Sequence, residues 1–170
     1  MASTDGTLMS KRKRWLILLT VSSALALIVI DMTVLYTALP SLTHELAATA
    51  SEKLWIVMAY GLVVAGLLPG FGALGDRLGH KWTFVGGLVV FGIASIVAAY
   101  SPTPAVLIGG RVLLAIGAAL MMPATLSIIR LTFSDDHERA LAIGIWGAVA
   151  SSGAAVGPLV GGVLLEYFWW

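Results

Sequence analysis

Apolar residues run in long unbroken stretches along this chain, with little polar alternation. Leu54 to Gly75 carries no charge in 22 residues, and Ala140 to Leu165 none in 26. Trp15 to Ile30 continues past a single Asp as far as Pro40. Trp82 to Gly110 is charge-free for 29 residues, but Pro102 and Pro104 in Ser-Pro-Thr-Pro cut it near residue 101. A helix resumes around Ala105 and runs to Ile129, interrupted only by Arg111. Crossing a hydrocarbon layer about 30 Å thick takes roughly 20 apolar residues at about 1.5 Å each. The pattern therefore predicts five spans, near 15–38, 54–74, 82–100, 105–129 and 140–165, after a basic tail over 1–14. The segments lack the alternation of an outer-membrane barrel strand, and with no water to satisfy their backbone they must be helical. The fold class is all-α and transmembrane.

Composition agrees: 59% of the 170 residues are hydrophobic and 11% charged, against about 25% charged in a soluble domain. The chain has no Cys, Asn or Gln, which excludes a disulfide scaffold, a thiolate metal site, a Cys nucleophile and an N-glycosylation sequon. A net charge of +1 is too small for nucleic-acid binding by bulk charge. Placement of the charges says more than their sum. Lys11, Arg12, Lys13, Arg14, Arg77, Lys81, Arg130 and Arg139 all fall at one side of the spans, and Lys53 alone in the opposite loops. The positive-inside rule puts the N-terminus in the cytoplasm and the C-terminus outside. Trp15, Trp55, Trp82, Tyr100 and Tyr167 to Trp170 stand at span ends, where interfacial aromatics belong. The first span is too long for a signal-peptide core and no small-residue cleavage site follows it, so it is expected to remain.

Two ionisable residues lie inside spans. Asp31 and Arg111 both fall roughly 10–13 Å below the outer surface, by rise per residue, and so share a depth. An unpaired charge in hydrocarbon costs at least ~2.5–3.5 kcal/mol, so the two are expected to pair. Two readings stay open: a static ion pair, or a carboxylate that exchanges a proton or meets a cationic substrate. For the second, burial favours the neutral acid and a neighbouring Arg the ionised one, and motion would decide between them. In the fifth span Gly153, Gly157 and Gly161 recur every fourth residue, a smooth stripe on which another backbone can lie, with Pro158 as a kink. Gly70 to Gly75 matches G-x-G-x-x-G, yet an apolar helix precedes it and no acid follows at the required distance, so nucleotide binding is set aside. No metalloprotease or nucleophile-elbow pattern occurs, and His44, His80 and His137 are expected in loops. An enzyme, a metal site and a cofactor are therefore not expected.

Between the second and third spans the chain reads Gly72-Ala73-Leu74-Gly75-Asp76-Arg77-Leu78-Gly79-His80-Lys81. This resembles the cytoplasmic signature loop of the major facilitator superfamily, with His80 where Arg is usual. Asp31-Met32-Thr33-Val34 through Pro40 resembles the first-helix motif of that family's 14-helix drug:proton antiporter branch. Leu54 to Val57 with Tyr60 resembles the second helix, and Arg111 with Gly117-Ala118-Ala119 the fourth, although Leu114 and Ala115 depart from Gln and Gly. Gly153 to Gly162 is similar throughout to the fifth-helix antiporter motif G-x-x-x-G-P-x-x-G-G. The likeness covers the chain from Trp15 onward and is nearest to bacterial methyl viologen and quaternary ammonium efflux proteins.

The resemblance implies roles. Asp31 would be the acid of the transport pathway and Arg111 its partner in proton coupling. Gly72, Asp76, Arg77, Gly79 and Lys81 would form a cytoplasmic latch. Gly153, Gly157, Pro158, Gly161 and Gly162 would form a helix interface between two transporter halves. Tyr36, Trp55, Tyr60 and Trp146 are aromatics that could stack on a flat lipophilic cation. Members have 12 or 14 helices, so the five are expected to be the N-terminal part of a longer antiporter in the bacterial cytoplasmic membrane. Its partners would be lipid, protons, small lipophilic cations and the C-terminal half. Three functions follow: proton-coupled efflux of such cations, carriage of another solute on the same fold, or a truncated subunit that transports nothing.

Overall fold

The computed structural model describes residues 9–167. Phe168, Trp169 and Trp170, expected at the interface, and the first eight residues of the expected tail lie outside the described residues. Five α-helices account for nearly all the rest: α1 Lys11–Glu45, α2 Ala50–Leu78, α3 His80–Ala99, α4 Pro104–Thr132 and α5 Asp136–Tyr167. Each is long and apolar enough to cross a membrane, and no strand occurs among the described residues.

Local chemistry sets the helix starts. Thr49 and Glu52 make a reciprocal capping box at α2, with the Thr49 N–H donating to Glu52 Oε2 at 2.8 Å and the Glu52 N–H to Thr49 Oγ1 at 3.3 Å. Pro104 fits the first turn of α4, where its missing N–H costs nothing, behind Thr103 as cap. Asp135 accepts the Glu138 N–H at 2.8 Å ahead of α5.

The helices run past the expected spans, and three expectations change. Lys11–Arg14 form the first turn of α1 and are not a tail. The three histidines sit at helix ends: His44 in the last turn of α1, His80 opening α3, and His137 in the first turn of α5. The expected loop over 72–81 is helical except for Gly79, because the Gly79 N–H still bonds to Gly75 O at 2.9 Å. Gly79 then turns the chain at φ +90°, a conformation that glycine alone takes without strain.

Close contacts give the directions of packing. Gly87 faces Gly117 and Met121, while Gly110 faces Ala98, so α3 and α4 run antiparallel. Gly72 faces Pro123, and Tyr60 lies against Arg111, so α2 and α4 run parallel. α4 is the most buried of the five and serves as the shared wall. Gly153, Gly157 and Gly161 meet Val29, Thr33 and Thr37 in step, so α5 runs parallel to α1. The stripe expected to join two halves lies against α1 among the described residues. Pro158 and Gly162 lie on the exposed side of α5.

A substitution on that stripe has a defined cost. Thr37 Oγ1 is held by its bond to Val34 O at 2.7 Å and sits where a Cβ at Gly161 would be. Gly161→Ala is expected to destabilise by about 1–3 kcal/mol through overpacking. Thr37→Ala in the same chain should recover most of that loss in a thermal melt.

Candidate functional site

Asp31 and Arg111 meet inside the bundle. Arg111 Nη1 donates to Asp31 Oδ2 at 2.8 Å, joining α1 to α4 across the core. Arg111 is 4% exposed, whereas the Asp31 side chain keeps 24% of its surface. The pair stands at the inner end of a cavity of about 310 Å³ bounded by α1, α3, α4 and α5. That is the low end of the range for ligand pockets, about 300–1,000 Å³. Val34, Leu35, Leu107 and Leu164 make its walls apolar, and Ser95 adds one hydroxyl. The cavity reaches Leu42 and Leu165, toward the helix ends opposite the Lys11–Arg14 cluster. A carboxylate at the head of an apolar cavity can bind a proton or an organic cation when Arg111, its counter-ion here, moves away, because the apolar walls offer no other charge to neutralise it.

The four aromatics expected to line a substrate site do not line this cavity. Tyr36 and Trp55 point outward, 61% and 50% exposed. Trp146 packs on the core and donates from its ring N–H to Thr125 Oγ1 at 3.3 Å, tying α5 to α4. Tyr60 is 1% exposed and lies behind Arg111, with the guanidinium carbon 4.4 Å from its ring centroid. The side chains that do form the walls are aliphatic, and their spacing looks the same as any other buried face.

At the other end of the bundle, Gly72 packs on Pro123 and Gly75 is covered by the His80 ring. Asp76 Oδ1 lies 3.6 Å from His80 Nε2, and Lys81 Nζ stands 5.6 Å from the Trp82 ring centroid, so both contacts are local to the turn at Gly79. Arg77 is exposed. A second clasp has no counterpart in the sequence reading. Arg14 Nη1 donates to Glu138 Oε2 at 2.7 Å, and its guanidinium lies 5.9 Å from the Phe133 ring. Trp15 meets Phe133 edge to face at 5.9 Å and so packs inward, not as an interfacial anchor. Only opposite charge at two helix starts hinted at it.

Comparison with known proteins matches the Major Facilitator Superfamily profile to residues 12–170. The methyl viologen resistance protein SmvA of Salmonella typhimurium is 49% identical over 158 residues, which is 93% of this chain and 32% of that protein. The multidrug efflux pump LfrA of Mycolicibacterium smegmatis is 42% identical, covering 98% of this chain and 33% of the pump. The puromycin resistance protein pur8 of Streptomyces alboniger is 39% identical, with 93% and 31% covered. The chain spans about a third of the length of these curated relatives.

Proposed function

The chain belongs to the major facilitator superfamily, and from that membership we propose that its five helices form part of a proton-coupled exporter of lipophilic or quaternary ammonium cations. The observation that carries the reading is the carboxylate of Asp31, which is paired with Arg111 at 2.8 Å and open to an apolar cavity. Methyl viologen, in the name of one relative, is a flat organic dication. A cavity of this lining suits the apolar body of such a solute, and Asp31 offers it one negative charge once Arg111 is displaced.

Competition at Asp31 supplies the coupling. A cation and a proton cannot both neutralise one carboxylate, so binding of either expels the other. With the N-terminus in the cytoplasm, as the loop charges favour, the cavity faces outward and gives external protons access to Asp31. A proton bound there leaves no negative charge for the cation or for Arg111, so the cation is released outward and Arg111 stays without its partner. The reading extends to the bacterial cytoplasmic membrane as location. The turn at Gly72, Asp76, Arg77, Gly79 and Lys81 acts as a cytoplasmic latch against helices beyond those described. In a transporter of the relatives' length, those helices supply the second half, and the Pro158–Gly162 face of α5 is free to meet it.

The test is ethidium export by the protein in proteoliposomes with an imposed pH gradient. Asp31→Asn should reduce uphill export and the accompanying proton flux to the level of empty vesicles. Export against a gradient by Asp31→Asn would overturn the coupling role.

A further inference from the structure

We propose that Tyr60 is a positioning residue for Arg111, its ring face being a second seat that holds the guanidinium whenever Asp31 is neutral. The proposal rests on the proton-coupled reading only in that Asp31 changes charge during the cycle. The guanidinium carbon lies 4.4 Å from the Tyr60 ring centroid, well within cation–π range, while Nη1 reaches Asp31 at 2.8 Å. Arg111 Nε and Tyr60 Oη have no hydrogen-bond partner among the described residues. Among the described residues, one carboxylate and one ring face thus contact the guanidinium.

Arg cannot shed its proton to relieve an unpaired state. When Asp31 is neutralised, by a proton or by a substitution, the guanidinium is left buried without a counter-ion. The ring then carries its stabilisation, and cation–π attraction is stronger where water is excluded. Tyr60 does not line the cavity, so it acts through Arg111 and not on a solute. Its hydroxyl is unpaired, so the π-face is the working part.

A double-mutant cycle read by melting temperature, on the purified protein in lipid nanodiscs, tests this. Tyr60→Leu should lower the melting temperature at least twice as far in the Asp31→Asn background as in the wild-type background. Tyr60→Phe, which keeps the ring, should match the parent in both. A side chain that only fills space would give additive losses, and additivity overturns the proposal, as does a Tyr60→Phe that behaves like Tyr60→Leu. Should Tyr60→Leu fail to fold with Asp31 intact, Tyr60→Met takes its place in the same cycle: a loss at least twice as large with Asp31→Asn as without it supports the ring, and equal losses overturn it. The melts need no transported solute, so their failure leaves the export reading standing, and failure of the ethidium assay leaves the melts informative.

Discussion

Gly117→Leu is expected to abolish folded protein, because it blocks a point at which the backbones of α3 and α4 touch. A Cβ at Gly117 would lie 2.8 Å from the Phe91 backbone N and 2.9 Å from Gly87 O. Neither atom can rotate away as a flexible side chain could. Relief would require parting the two helices along their whole contact, including the place where a Cβ at Gly110 would lie 3.1–3.2 Å from Ala98. Lipid tails are as apolar as the side chains, so helices associate in a membrane through close van der Waals packing, which separation forfeits. Overpacking in a core typically costs about 1–3 kcal/mol and occasionally more. With backbone on both sides, the upper end or beyond is expected. Gly109→Leu is the control: it lies on the same helix with nothing within 4 Å of the added Cβ. Yield of monodisperse protein on size exclusion and the melting temperature read the result. Equal behaviour of the two variants would mean that α3 and α4 do not meet at Gly117.

Residues 54–75 and 140–165 show why so much of the fold was legible. A charge-free run of that length has one physical solution in a membrane, a helix, and Pro102 and Pro104 mark where one must end. The approach of Asp31 to Arg111 followed from depth alone, since rise per residue gives each height from its nearer loop. What stayed hidden was register between elements that are not neighbours in sequence. The α5 glycines announce a close contact but not with whom, and α1 takes it. Tyr60 and Trp146 are aromatics at plausible depths for a solute, yet whether each faces a cavity or backs a core residue depends on how α2 and α5 lie against α4. The turn between α2 and α3 misled for a local reason. Gly72, Gly75 and Gly79 look alike in sequence, but two are helical positions under packing and one carries the positive φ.

Removing either half of the central pair should not cost the same. Asp31→Leu leaves Arg111 charged, 4% exposed and unable to lose its proton. Breaking a buried pair in this way is expected to cost about 3–5 kcal/mol. Arg111→Leu leaves Asp31, whose side chain keeps 24% of its surface toward the cavity. An orphaned carboxylate in that position can become a neutral acid by binding a proton, an escape that the guanidinium lacks, so its loss should be clearly the smaller. The double variant Asp31→Leu/Arg111→Leu places two apolar side chains in an apolar core and should recover most of the loss seen in Asp31→Leu, since replacing a buried pair outright is often neutral. Thermal melts of the three variants in one detergent measure the order. If the two single variants lost equal stability and the double variant lost their sum, each side chain would be contributing on its own. The contact at 2.8 Å would then hold no coupling energy for a transport cycle to draw on.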